Sequence, residues 1–336
     1  MCSSDLAGPV PITAGVTVTD APSPVRPLLK WAGGKRQLLP WLRPHFPTRF
    51  RRYIEPFFGS GAVFFDLYGR GDLVGRVATL ADVNPDLIGC YRTLVEQTDA
   101  VITALQRLAR EHAADPEQCY YDVRDGRFNP ARAAGRPYTP AMAAMLIYLN
   151  RTGFNGLFRV NRDGAFNVPA GRYANPRICD ESLLRGVARA LGDGTVDLQL
   201  GAFDAALSGA GRGDFIYCDP PYAPLSRTAC FAQYTAGGFS SADQERLLDA
   251  LIAAARRGAT VVLSNSSAPE MVSLYSSSAA RKAGFRVERV PARRAISSNG
   301  AGRGPVDELV VTNAAPKVRL RMAKVTPRPE RARRLA

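Results

Sequence analysis

Asp214-Phe215-Ile216-Tyr217-Cys218-Asp219-Pro220-Pro221-Tyr222 sets an apolar run directly against a double proline. The run predicts a buried parallel strand over 214–218, and the prolines turn the chain sharply out of it. Open α/β sheets bind their ligands outside the carboxyl ends of strands. At such an edge the turn presents the Asp219 carboxylate, the Pro220 carbonyl and the Tyr222 ring. Two acceptors and an aromatic face suit a planar amino group: the acceptors take its two N–H bonds and the face takes the ring that carries it. The same tetrapeptide also fits an ordinary surface turn with a solvated Asp, so its surroundings decide. As an edge residue, Asp219 is expected to matter for chemistry and little for packing.

Upstream, Trp31-Ala32-Gly33-Gly34-Lys35 predicts a glycine turn, and 36–42 a short helix. Tyr53-Ile54-Glu55 predicts a strand, 56–61 a loop and 62–68 a helix. A second strand over 77–80 ends in Ala81-Asp82, and 86–109 predicts one long helix. Strand, glycine-rich turn, helix, strand and acid form the opening half of a nucleotide-binding α/β sheet. Phe57-Phe58-Gly59-Ser60-Gly61 matches F-x-G-x-G, in which the glycines allow a sharp turn and close ligand approach. It lacks the third glycine of a pyrophosphate loop. Asp82 follows Gly61 by 21 residues, where an acid accepts bonds from ribose hydroxyls. Further on, strands are predicted over 196–200, 214–218 and 261–264, and an amphipathic helix over 244–257. Strands over 287–294 and 306–312, joined by 295–305, predict an antiparallel hairpin that closes a doubly wound sheet.

The 336-residue chain carries a formal charge of +14 and a pI of about 9.9, which points to a polyanionic partner. The excess is concentrated in two places. Lys317 to Ala336 holds eight basic residues and one acidic, and 120–176 holds eight Arg against three Asp, interleaved with Tyr, Phe and Asn. Six scattered Cys, with no C-x-x-C pair, suit neither a zinc site nor a disulfide framework. No metal is expected, and the reduced thiols point to a cytoplasmic setting. No run reaches membrane-spanning length, and no Lys or Arg precedes Arg26 to make a secretory signal. Residues 1–26 are expected to be disordered, as is the basic tail 314–336. Cys2-Ser3-Ser4-Asp5-Leu6 resembles the translation of a sequencing adapter, an expectation that resequencing the locus checks.

Seven collinear blocks resemble the Dam-type DNA adenine methylases, the alpha class or D12 family of N6 adenine methyltransferases. They are Leu29 to Lys35, Glu55-Pro56-Phe57 with the glycines, Ala81 to Asn84, Tyr148 to Leu157, Phe166 to Pro169, Tyr217 to Ser226, and Arg293 to Asn299 followed by Val306-Asp307-Glu308-Leu309. The resemblance implies an α/β, Rossmann-like S-adenosylmethionine-dependent methyltransferase sheet. It implies a catalytic domain over 27–119 and 177–313, interrupted by a mainly helical target-recognition insert over 120–176, with a β-hairpin near the end. The expected substrate is the exocyclic amine of adenine in double-stranded DNA, and the expected protein is a monomer.

By the same resemblance, Trp31, Lys35, Phe57, Gly59, Gly61, Asp82 and Asp219 hold S-adenosylmethionine. Asp219, Pro220 and Tyr222 are the catalytic set. A duplex adenine hides its amine in the stack, so it has to be flipped out. Asp219 and the Pro220 carbonyl then accept its N–H bonds and favour a more nucleophilic nitrogen for in-line attack on the methyl group, with no covalent enzyme intermediate. On DNA, Arg159 matches a position that pairs with guanine, Lys30 one that reads another guanine, and Leu157 and Pro169 positions at the thymine. These four imply GATC. Phe154 stands where close relatives carry Tyr, which keeps the wedge but removes a hydroxyl, and Asn155 follows it. Ser226, Ser297 and Asn299 are implied phosphate or DNA contacts. For Arg151, Arg159 and Arg162 alone, the residues fit a generic phosphate-facing surface equally well. Methylation of RNA or of a protein amide, and a catalytically silent DNA-binding regulator, are the competing functions. The basic, aromatic insert argues against the first, and the intact D-P-P-Y against the second.

Overall fold

A computed structural model describes residues 25–31, 35–135, 137–222, 239–293 and 305–315. The start of the chain through residue 24, Ser226, Ser297, Asn299 and the tail from residue 316 lie outside the described residues. Seven strands make one sheet in the order β3-β2-β1-β4-β5-β7-β6. They are β1 (Arg52–Glu55), β2 (Val77–Asp82), β3 (Val196–Leu200), β4 (Asp214–Cys218), β5 (Thr260–Ser266), β6 (Arg286–Arg293) and β7 (Pro305–Thr312). The first five pair in parallel, while β7 runs antiparallel to both β5 and β6. The predicted hairpin therefore folds back, so that its second strand, not its first, joins the parallel sheet.

Every residue of β4 is buried, as its apolar run requires of a central strand covered on both faces. Alternation sorts the side chains by face. Tyr53, Phe215, Tyr217, Val262 and Val310 enter one core cluster, and Ile54, Ile216, Cys218, Leu263 and Leu309 enter the other. The first cluster continues without a break into Tyr120, Val123, Phe128 and the helix Pro140–Thr152. The segment 120–176 thus shares its core with the sheet. Its described residues up to Thr152 are helical over Pro116–Tyr121, Asp122–Phe128, Asn129–Ala133 and Pro140–Thr152, and the chain then runs through a short excursion closed by the bridges Gly153 to Ala170 and Val160 to Phe166.

The long helix expected over 86–109 is two helices, Pro85–Glu96 and Thr98–Ala114. Gln97 between them leaves helical space at φ −138°, ψ 49°. The Thr98 hydroxyl donates to the Leu94 carbonyl at 2.7 Å, covering an acceptor near the break. The bend lets Val101, Leu105 and Leu108 bury. Around Pro40 and Pro44 the short helix breaks into 3₁₀ and α turns over Lys35–Gln37, Leu39–Leu42 and Arg43–His45.

Strand order reverses between β1 and β4. The crevice beyond their carboxyl ends is the switch point where an open sheet binds its ligand. The loops after β1, β2 and β4, carrying the glycine turn, Asp82 and Asp219, all emerge at that carboxyl edge.

Candidate active site

Gly59 and Gly61 adopt φ +49° and +69°, a left-handed backbone that side chains resist. Phe58 N–H donates to the Ala81 carbonyl at 2.8 Å and Gly59 N–H to Asp82 Oδ2 at 2.9 Å, which fastens the turn to the end of β2. A Cβ on Gly59 would stand 3.1 Å from Trp31 Cδ1, and one on Gly61 would stand 2.4 Å from Phe58 Cε2. We therefore predict that Gly61→Ala lowers stability by about 2–4 kcal/mol, from left-handed strain and overpacking together. A denaturant midpoint matching wild type would contradict this.

Asp82 also accepts from Asn84 N–H at 2.9 Å. Burial pushes its carboxyl above the ordinary range, against the pull of these backbone donors. Asn84 in turn caps the helix Pro85–Glu96, and its Nδ2 is buried with no partner among the described residues. Trp31 stacks on Phe158 at 5.4 Å. Phe57, half-buried, stacks on Phe203 at 5.6 Å. A glycine turn under an indole, an acid and an orphan amide thus stand at the carboxyl ends of β1 and β2.

At the end of β4 the structure corrects the view of Asp219 as an edge residue of little packing consequence. Its Oδ1 lies 2.8 Å from Lys35 Nζ, and the Lys35 side chain is only 5% exposed. Ser264 Oγ donates to the same oxygen at 3.1 Å and meets the Tyr217 hydroxyl at 2.9 Å. Burial outweighs the Lys35 ammonium and pushes the Asp219 carboxyl up to about 6. Lys35 Nζ also lies 4.5 Å from the centre of the Tyr222 ring. The ammonium thus stands between the carboxylate and the aromatic face. Nearby Glu55 is buried, accepts the Tyr53 hydroxyl at 2.8 Å, and is pushed by that burial well above the carboxylate range.

The double proline turn has a support that the sequence did not reveal. Gln244, 1% exposed, donates to the Pro221 carbonyl at 3.0 Å. Its Oε1 accepts from Asn265 and Tyr275, which fixes the amide. Among the described residues the Pro220 carbonyl has no hydrogen-bond donor. Ser264, Gln244 and Asn265 are reached through strand and helix pairing, and only the polar residues inside apolar segments hinted at them. Cys218 points into the second core, away from Asp219.

The expected DNA-reading residues gather on the excursion 153–171 and the segment that crosses it. Asn150 clamps Lys30: its Oδ1 accepts Lys30 N–H at 2.8 Å and its Nδ2 donates to the Lys30 carbonyl at 2.8 Å and to Gly156 at 3.0 Å. Gly156, at φ +63°, is pressed against the Lys30 stem, so that a Cβ would fall 2.4 Å from Lys30 Cδ. The ammonium lies over the Tyr173 ring at 4.6 Å. Phe154 is 49% exposed and its N–H donates to the Pro169 carbonyl at 2.9 Å. Asn155 takes φ +54°, and Leu157 is half-buried. Arg159 is exposed, with Nε donating to Asn167 Oδ1 at 2.7 Å and Nη2 to the Asn167 carbonyl at 3.2 Å. Arg151 departs from the surface reading. It is partly buried and donates to the Leu28 carbonyl at 2.8 Å, which makes it a strut of the fold.

Parallel strands in this order with an antiparallel seventh, and a glycine cradle and D-P-P-Y turn flanking one switch point, define a Rossmann-like methyltransferase. Residues 31–296 match the family described as D12 class N6 adenine-specific DNA methyltransferase. The chain belongs to that family. It is 38% identical over 293 residues to a type II methyltransferase of Lactococcus lactis, covering 86% of this chain and 95% of the relative. A type II methyltransferase of Methanocaldococcus jannaschii is 36% identical over 300 residues, 86% of this chain and 99% of its own. A DNA adenine methylase of Escherichia coli is 35% identical over 288 residues, 85% and 94% of the two chains. Among the described residues no group of His, Cys, Asp and Glu is arranged to hold a metal ion, and no helix is long and apolar enough to cross a membrane.

Proposed function

We propose that this chain methylates N6 of adenine within GATC in duplex DNA, after flipping the base into the crevice beside Asp219. The observation that carries the reading is the Asp219 carboxylate at the switch point, facing a cation that lies over the Tyr222 ring. A flipped adenine offers the same pattern, polar N–H groups at the carboxylate and a π surface at the tyrosine.

S-adenosylmethionine, when bound, supplies a methyl group activated by its sulfonium. Gly59, Gly61, Trp31, Phe57 and Asp82 would hold it, with Asp82 as acceptor for ribose hydroxyls. The chain's own residues then orient the target. Asp219 and the Pro220 carbonyl accept the two amine N–H bonds and draw the nitrogen lone pair out of conjugation. Tyr222 stacks on the ring. Lys35 vacates the carboxylate as the base arrives and remains near it as a counter-charge. Positioning supplies much of the rate, and no enzyme nucleophile is required.

For target reading we assign Arg159 and Lys30 to guanines, Leu157 and Pro169 to the thymine side, and Phe154 with Asn155 to the gap left by the flipped base. The mostly helical 120–176 segment then serves as the recognition region of a single catalytic domain. The protein acts as a monomer in the cytoplasm.

The direct test is methyl transfer to a duplex with one GATC and to the same duplex in which the adenine of both GATC strands is replaced by a purine that lacks the amino group. Label in the first alone supports the reading; label in neither, or in both, removes it. The same assay carries a pH prediction. Asp219 must be ionised to accept N–H bonds, and its carboxyl titrates at about 6. Turnover is therefore expected to fall as pH drops through about 6. A flat profile down to pH 5 would show that Asp219 is not the titrating acceptor.

A further inference from the structure

Glu308 lies on β7, opposite Ser266 of β5 and Val290 of β6. Alternation along the strand places it on the face of Val310, which packs with Tyr217 and Val262. A half-buried carboxylate in that position needs a donor. The donor is Tyr222, whose hydroxyl gives Glu308 Oε2 a 2.6 Å hydrogen bond. That length belongs to the short, charge-assisted class. Burial, reinforced by the negative charges of Asp219 and Glu308, pushes the Tyr222 hydroxyl well above its ordinary value, so it stays protonated and keeps donating.

The bond joins the catalytic turn to a strand 86 residues away in sequence. A tyrosine ring needs both of its side-chain torsions set before its face has a fixed direction. Packing alone leaves a half-buried ring free to tilt, whereas an anchored hydroxyl sets the plane from its far end. The ring held in this way faces the Lys35 ammonium, which marks the space in front of Asp219.

We propose that Glu308 is a positioning residue for adenine methylation, holding the plane of Tyr222 so that the ring meets the flipped base beside Asp219. This rests on the stacking role given to Tyr222 above. A purely structural tie between β7 and the turn would also use the bond, but it would not set the base.

The two roles separate in the full-length chain with Tyr222→Phe, Glu308→Ala, the double variant and Glu308→Gln. Duplex affinity, kcat, and the fluorescence of 2-aminopurine at the target base are measured for each. Glu308→Ala and Tyr222→Phe are each expected to lower kcat about tenfold, the scale of one lost charge-assisted bond. Each should also change the 2-aminopurine signal, with duplex affinity near wild type. The double variant is expected to be no worse than either single one. Glu308→Gln keeps an acceptor oxygen and is expected to keep most of the turnover. It removes a negative charge that, with burial, holds the Asp219 carboxyl up against Lys35. Glu55, Tyr217, Cys218 and Tyr222 are the other titratable groups around that carboxyl. The acid limb of Glu308→Gln should therefore move to lower pH.

Additive losses in the double variant overturn the proposal. So does wild-type kcat in Tyr222→Phe, which keeps the ring and its packing and decides the matter even where Glu308→Ala is destabilised. A wild-type protein that methylates adenine beside variants that match it sinks the role of Glu308 alone. A wild-type protein that leaves adenine unmethylated sinks the stacking role as well.

Discussion

Asp219→Asn is expected to remove methyl transfer by a factor of about a hundred to a thousand while the protein stays folded. The scale is that of losing one preorganised partner of the reacting group. An amide in place of the carboxylate turns one acceptor into a donor that faces the N–H bonds of the target. It still offers Lys35 an oxygen, so the buried side of the pair survives. Asp219→Ala is expected to lose the same activity and, in addition, on the order of 3 kcal/mol of stability, because it withdraws the carboxylate from a lysine that is 5% exposed. The two variants together separate chemistry from folding. Thermal melts and single-turnover rates on the same preparations make the comparison. A folded Asp219→Asn with near wild-type turnover would refute the mechanism.

The second large effect is expected in specificity. Arg159→Ala should admit other bases at one position of the methylated site, by about 1–3 kcal/mol of lost discrimination. The structure supplies the reason for a single preferred geometry: Asn167 takes two hydrogen bonds from the guanidinium and so aims the remaining N–H groups. A guanidinium that only meets phosphate would behave differently. Binding would then fall for all sequences together, its salt dependence would weaken, and the methylated motif would stay the same. Comparing the sites methylated by wild type and by Arg159→Ala decides between them.

What could be read from the chain follows a physical divide. Patterns local in sequence were legible. The apolar run before Asp219, the glycines before the helix Ala62–Gly69 and the acid after Ala81 each announce a strand end, and these ends meet at the switch point. The hairpin was legible as two strands, but not the order in which they join the sheet. The break at Gln97 was hidden, because Leu94 and Glu96 before it and Ala100, Ala104 and Leu105 after it favour continuing the helix and only packing demands the bend. Contacts made across the fold were also hidden. Gln244 under Pro221, Asn150 on Lys30 and Glu308 on Tyr222 join segments 23, 120 and 86 residues apart. In each case a polar residue within or beside an apolar element was visible, but its partner was not. Asp219 shows the same divide: its chemistry was legible in the tetrapeptide, while its ion pair with Lys35, 184 residues earlier in the chain, was not.

The central claim is that this chain puts a methyl group on adenine N6 at a defined site, through Asp219. Sequencing that detects N6-methyladenine, applied to DNA from an otherwise unmethylated host expressing the chain, tests it most directly. The predicted result is N6-methyladenine at GATC with wild type and none with Asp219→Asn. N6-methyladenine confined to a different motif would contradict the assignment of Lys30, Leu157, Arg159 and Pro169. Its complete absence with folded wild-type protein, or its persistence with Asp219→Asn, would contradict the catalytic account itself.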